Sequence, residues 1–470
     1  MRLVAINQSL WLDEAIGALA VRDLNYRDLI FSFLKVDNHP PLYYFILKTW
    51  TSLLGYSEFS LRLPSILFGV GTIYLTFIIA RKMIGKVLNP LPIIATILIA
   101  TSQFHIYYSQ EARMYSMAAF FASLSIYSFL YLIGDEKVSI KYWILYSFSI
   151  TCLVFTDYMP IFLLPVFWVY AFFRKKDLSW WIRFILSYLP LFAMGMIWLP
   201  IFYAQSQGGR WLLEILPAWK GVAGGANFKE AALIWTKFTL GRISFYNKKF
   251  YYSLIFISSI PFLISLLIAF RKRKEMILFW LWLIIPLILG FIASFAFPAF
   301  IYFRYLYIIP AFYILLAWGI YNLTNFKLKV LITFCLIFIN LFSWFLYVKE
   351  PLQQREHWRE AVGFIENNAK NSDIVIFDYP EPFAPYRWYA KGKVKAIGVT
   401  DSIVANAGKT TEITENAIKD RNGVYYFEYL RDLSDPKQVV EKALDDRGFT
   451  IETIYDFFPG VGQIKYWVRK

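Results

Sequence analysis

Ten apolar runs follow one another between residues 63 and 348: 63–80, 90–108, 114–133, 141–157, 158–173, 180–203, 249–270, 276–297, 303–321 and 328–348. A chain in lipid must satisfy its own backbone amides, and a helix does so within one segment. About 20 apolar residues of helix cross a bilayer. The chain therefore reads as an α-helical polytopic membrane protein, with soft bounds where a run is short. Composition agrees, at 58% hydrophobic and 17% charged, where a soluble chain carries about 25% charged residues. An ordinary soluble enzyme and a disordered chain are excluded. Cys152 and Cys335 both lie in apolar runs, which excludes a thiolate metal cage and a disulfide framework. Three histidines, His39, His105 and His357, are too few for a histidine-rich metal site. No organic cofactor is expected, and a divalent metal stays open.

The net charge of +15 is unevenly spread. Residues 349–470 hold 18 Lys and Arg against 19 Asp and Glu, so the basic excess belongs to the first 348 residues. It sits in alternate short connections: Arg81, Lys82 and Lys86; Lys137 and Lys141; Arg174, Lys175, Lys176 and Arg183; Arg271 to Lys274; Lys327 and Lys329. This is the positive-inside pattern rather than a nucleic-acid groove. The basic set is placed in the cytoplasm. Residues 1–62, the 109–113 loop, the 204–248 loop and everything after 349 then face outside. Pro41 to Gly55 is apolar but short and carries Lys48. As a span it would invert every later loop, so it is expected to be an interfacial helix on the outer face. Leu3 to Ile6 reads as the tail of an apolar helix, and a first transmembrane helix upstream of Met1 is expected. The alternative is that the 63–80 helix enters with its N-terminus outside.

Two domains follow: 1–348 in the membrane, and 349–470 as a small extracytoplasmic α/β domain. In the latter, Arg355–Ala369, Pro385–Lys391 and Asp435–Arg447 read as helices. Asp373–Asp378, Val394–Val399 and Gly423–Tyr429 read as strands. Phe449–Phe457 and Gln463–Val468 read as a hairpin across Pro459-Gly460.

Polar residues on the outer side fall into few groups. Trp11-Leu12-Asp13-Glu14 places two carboxylates beside a membrane face, where one could serve as a general base or both as solvated acids. In Asp37-Asn38-His39-Pro40-Pro41, the prolines fix the backbone and hold His39 at a helix start, a place suited to an anion or to a simple turn. Arg62, at the start of a span, can meet a donor phosphate or snorkel to lipid. Glu111 and Arg113 stand between two spans, where ionisable residues are costly; they can also neutralise one another. Arg304 opens another span, and Asp157 sits at an outer turn. Taken together, carboxylates (Asp13, Glu14, Glu111) and cations (His39, Arg62, Arg113, Arg304) on one side suit inverting transfer from a lipid-phosphate donor. A carboxylate takes the acceptor proton, and cations stabilise the phosphate that leaves.

WLDEA, DNHPPLYYFILKTW, SEFSLRLPS and YSQEARMY, in that order, resemble the bacterial and archaeal protein O-mannosyltransferase and aminoarabinose-transferase group of polytopic GT-C glycosyltransferases. The specific motifs cover residues 9–120. EHWREAVGFIENNAKNSDIVIF is similar to the outer domain of many bacterial members. The resemblance implies transfer of a hexose, mannose-like, from a polyprenyl-phosphate sugar to an outer protein, lipid or glycan acceptor, with inversion, at the plasma membrane. It implies Asp13 as base, with Glu14 orienting it or the acceptor, and Glu111 as the acid of the second outer loop. His39, Arg62, Arg113 and Arg304 are implied as donor-phosphate contacts. Relatives often work without a metal, and nothing in the sequence supplies a dedicated metal cage. The family has a helix before its acidic pair, in keeping with the upstream helix expected above.

Two other readings stand beside this one: a transporter or flippase of lipid-linked sugars, and a non-catalytic scaffold. No repeated halves of the transporter kind are visible. The 204–248 segment, with paired glycines and Trp211, Trp219 and Trp235, is expected either to close over the acceptor or to form an interfacial aromatic belt.

Overall fold

In the computed structural model each apolar run is helical over most of its length. Residues 1–84, 89–134, 138–174 and 176–470 are described; Lys86, Lys137 and Lys175 of the basic connections lie outside them. Helices run in the order α1 (Leu12–Asp23), α2 (Leu42–Leu54), α3 (Glu58–Ile84), α4 (Leu91–Thr101), α5 (Gln103–Ser109), α6 (Tyr115–Gly134), α7 (Ile140–Thr156) and α8 (Leu164–Phe172). They continue as α9 (Leu178–Leu186), α10 (Leu189–Ile215), α11 (Phe228–Leu240), α12 (Lys248–Arg271), α13 (Ile277–Ala293), α14 (Ile309–Tyr321) and α15 (Phe326–Lys349). The chain divides into two compact units. The larger is Met1–Ile6, Asn25–Gly208 and Lys220–Lys349; the smaller is Asn7–Leu24, Gly209–Trp219 and Glu350–Lys470.

The larger unit is a helical membrane body. Among the described residues seven helices are long and apolar enough to span, or eight if α4 and α5 are one broken span. The α7 and α8 segments are apolar but shorter. Polarity inside the body is satisfied locally: the hydroxyls of Thr72, Thr76, Thr96 and Ser123 each donate to the carbonyl four residues back. The α2 helix has 13 residues, or about 20 Å, too short to span. The run at 90–108 breaks at Ser102, whose extended ψ ends α4 and whose Oγ caps α5 by accepting the His105 amide at 3.3 Å. The two pieces meet at 60°. Twelve consecutive residues of α14, Ile309 to Ile320, are buried, which makes it the inner helix. There Gly319 permits close approach, since a Cβ would lie 1.8 Å from the Ser265 carbonyl oxygen of α12. By contrast, little of α9–α10 is buried, and Phe192 and Ile197 are exposed, as a lipid-facing helix requires. The segment expected as an outer loop from 204 is largely helical, as the end of α10 and then α11.

The smaller unit is a mixed α/β sheet. Its elements are α16 (Trp358–Asn368), β1 (Asp373–Phe377), α17 (Ala384–Tyr389), β2 (Lys395–Gly398), α18 (Ala407–Ile418), β3 (Gly423–Phe427), α19 (Val439–Asp446), β4 (Phe449–Tyr455) and β5 (Ile464–Arg469). The strand order is β2-β1-β3-β5-β4. β1 pairs in parallel with β2 and β3, and β5 is antiparallel to β3 and β4. Alternation explains the two cores. Val375, Phe377, Tyr425 and Phe427 face Trp358 and Ile365 of α16, while Ile374, Ile376, Val424 and Tyr426 face Ile418, Val440 and Leu444. The α18 helix was not expected from its Thr-rich, polar sequence; Asn406 caps it through the Lys409 amide at 3.3 Å.

Candidate active site

In the membrane body the DNHPP turn is a fixed structure. The Asp37 carboxylate and His39 Nδ1 lie 3.0 Å apart, and His39 Nε2 lies 3.2 Å from an Arg113 nitrogen. Guanidinium only donates, so Nε2 accepts and the ring proton sits on Nδ1, donating to Asp37. Arg113 also donates to the Tyr44 hydroxyl at 3.0 Å. Burial works to raise the Asp37 carboxyl, but His39, Arg113 and Tyr44 outweigh it and hold it below the usual carboxylate range. His39, expected as a direct phosphate contact, thus has both ring nitrogens engaged and orients Arg113. The turn is held from α10 by Gln205, whose amide nitrogen lies 2.6, 2.7 and 3.0 Å from the Leu34, Asp37 and His39 carbonyls. Tyr158 donates to the Gln205 carbonyl oxygen at 2.6 Å.

Arg62 is buried at the start of α3 and donates to the Ile6 carbonyl at 2.5 Å. Glu111 is buried between α5 and α6, among the charges that face Arg242. Arg304 is half-buried in a tight turn before α14, and Asp157 is buried, accepting the Met159 amide at 3.2 Å.

Two cations that the sequence reading did not single out lie close by, Arg242 within reach of the Glu111 charge and Lys237 within reach of Arg242. Arg242 stacks on the Tyr107 ring at 4.5 Å and hydrogen-bonds its hydroxyl; its backbone amide donates to Gln103 at 2.5 Å. Lys237, on α11, is buried 5.7 Å from the Tyr302 ring centroid, with its ammonium 3.4 Å from the Ile243 carbonyl. Burial, and then the Arg242 charge, push the Lys237 ammonium down to about 7. Lys237 is buried and Arg242 half-buried, close enough for the Arg242 charge to act on the Lys237 ammonium, and such a pair suits an anion. Their one signal in the sequence was a Lys and an Arg five residues apart among aromatics between two apolar runs. An apolar cavity of about 1030 Å³ is lined by Pro41, next to the His39 turn in sequence, and by Trp143, Phe148, Phe155 and Arg183.

In the smaller unit, Asp13 and Glu14 occupy the first turn of α1, Asp13 half-buried and Glu14 fully buried. Acidic residues suit a helix N-terminus. Trp11, at the N-cap, supplies no side-chain acceptor. Among the described residues no cluster of three His, Cys, Asp or Glu side chains could hold a metal ion.

Residues 38–204 match the family described as dolichyl-phosphate-mannose-protein mannosyltransferase. ArnT from Cupriavidus metallidurans, in the apo state, superposes with a TM-score of 0.56 at 12% identity, over 99% of this chain and 94% of that one. The fold is that of the GT-C glycosyltransferases of the protein mannosyltransferase and ArnT-like group. The same ArnT bound to undecaprenyl phosphate gives 0.56 at 10% identity, covering 99% and 95%. The ArnT-like fold extends to the oligosaccharyltransferase AglB of Archaeoglobus fulgidus, in complex with an inhibitory peptide and a dolichol-phosphate. It matches at 0.53 and 13% identity, over 97% of this chain and 70% of that one. No curated protein sequence matches the chain.

Proposed function

We propose that this membrane protein transfers a mannose-like hexose from a polyprenyl-phosphate sugar, with inversion, to an acceptor hydroxyl of a protein, lipid or glycan outside the plasma membrane. The observation that carries the reading is the pair Lys237, buried beside the Tyr302 ring, and Arg242, half-buried on the Tyr107 ring, two cations in the membrane body that suit a phosphate. The family match and the lipid phosphates held by proteins of this fold support it.

In this mechanism Asp13 accepts the proton of the acceptor hydroxyl. The freed oxygen attacks the anomeric carbon from the face opposite the phosphate. The anomeric carbon–oxygen bond breaks, and polyprenyl phosphate leaves with the electron pair. Lys237, Arg242 and Arg304 stabilise the growing phosphate charge, with Arg62 and Arg113 adding to the positive field. Glu14 orients Asp13, and Glu111 holds Arg242. The lipid chain occupies the apolar cavity lined by Pro41 and Trp143.

The test reconstitutes the full chain with radiolabelled polyprenyl-phosphate mannose or glucose and follows release of polyprenyl phosphate. Release that drops about a hundredfold or more in Asp13→Asn supports the reading. Absence of release from folded protein, across several sugars and with membrane extract as acceptor source, overturns it.

A further inference from the structure

The acidic helix and the α/β sheet belong to the same compact unit, and the contacts between them are specific. The Glu356 carboxylate, just before α16, accepts the Leu12 backbone amide in the first turn of α1. Ser9, just before α1, returns the favour: its Oγ accepts the Arg359 amide in the first turn of α16 at 3.2 Å and donates to Glu360 at 2.8 Å. Neither helix has a cap from its own N-cap side chain. Each is capped from the segment preceding the other. Further ties run alongside: the Leu10 amide donates to the Tyr389 hydroxyl at 2.7 Å, the Arg355 amide to Gln8 at 3.2 Å and Arg359 to the Asn7 carbonyl at 2.9 Å. Leu12 itself packs on the sheet core.

Glu356 is rigidly set. Trp358 Nε1 donates to it at 2.7 Å, and the Tyr429 hydroxyl reaches its two oxygens at 3.0 and 3.2 Å. Gly460 lies against it with φ +78°, and a Cβ there would come within 2.8 Å of the Glu356 Cγ. A carboxylate held so tightly, at the N-terminus of a helix whose first turn carries Asp13 and Glu14, fixes where those two side chains start.

We propose that Glu356 is a positioning residue for the acidic pair: by capping α1 from the α/β domain it holds Asp13 in its working geometry. This rests on the reading of Asp13 as base.

The experiment uses the full chain in nanodiscs. It measures hydrogen exchange at the Leu12, Asp13 and Glu14 amides, together with kcat and KM for polyprenyl-phosphate mannose. In Glu356→Ala those amides exchange about tenfold faster while β1 and β3 stay protected, and kcat falls about tenfold at unchanged donor KM. Glu356→Gln keeps an acceptor for the Leu12 amide and recovers most of both. Glu356→Asp, one methylene shorter, keeps the charge but withdraws the oxygen and behaves like Ala. Should the Ala variant fail to fold, the order Gln above Asp in kcat and protection still decides. Equal or reversed order overturns the proposal, as does unchanged exchange in α1 or an effect on KM alone. If Asp13→Asn retains turnover, the assignment of the base fails, while exchange in α1 still decides the cap.

Discussion

Arg113 reaches Nε2 of His39 at 3.2 Å, and in that contact His39 is the acceptor. The ring passes the polarity of Asp37 on to the guanidinium and fixes its direction. A hydrogen bond to a charged group is worth about 1.5–3 kcal/mol. His39→Ala should therefore raise the donor KM about tenfold or more, while His39→Gln, which retains an acceptor, stays within a fewfold of wild type. Steady-state kinetics with a polyprenyl-phosphate sugar checks the order. Equal loss in both variants would contradict it.

Lys237 should show stability and function pulling apart. Its ammonium is held at about 7 by burial and by Arg242, so the charged form is penalised in the empty protein. Lys237→Met removes that penalty and is expected to raise the melting temperature, yet to weaken the donor about tenfold. Donor affinity in the wild type declines as pH rises through about 7, because the ammonium loses its proton there. In Lys237→Arg the decline disappears. Binding titrations between pH 6 and about 9 and a melting curve test both statements.

Glu356 makes the smaller unit pH-sensitive. Burial, aided by the Asp13 charge, raises its carboxyl from the ordinary 4.5 to about 7, against the opposing pull of Trp358, Tyr429 and the Leu12 amide. The folded state then binds the proton more tightly than the unfolded chain. The stabilisation is full below pH 4.5 and is lost as pH rises to about 7, on the order of 3 kcal/mol in all. Hydrogen exchange of β3 across this window should show the loss, and Glu356→Gln should flatten it.

Gln205 gathers three carbonyls of the turn that carries His39. Gln205→Leu leaves them without their donor, at a cost of about 1–3 kcal/mol. Limited proteolysis should then open the chain at residues 34–39, and donor KM should rise without change in the expression level of the membrane body. Resistance equal to wild type would show that the prolines alone hold the turn.

The membrane helices were legible because an apolar run has few alternatives in lipid. Most of the sheet was legible because DIVIF and GVYYF alternate between two buried faces, as strands covered on both sides do. Three things were hidden. The bend at Ser102 depends on one dihedral angle and one cap, and hydropathy runs straight through it. The α18 helix depends on packing by Thr410, Thr414 and Ile418 rather than on an apolar stripe. Gln205, Lys237, Arg242 and Glu356 are single polar residues whose meaning lies in partners distant along the chain. A local pattern carries no trace of such a meeting. His39 shows the converse: the turn was readable from Asn-His-Pro-Pro, whereas its second hydrogen-bond partner, Arg113, lies far downstream.

The exchange of caps between Ser9 and Glu356 also has a consequence in time. A ribosome makes α1 long before residues 355–360. Until then, the nascent protein already inserted in the membrane carries its acidic motif on a helix with a frayed first turn. Synthesis of residues 355–360 completes the cap of α1. A product terminated before residue 356 would retain the membrane helices and leave the first turn of α1 without the Glu356 oxygen.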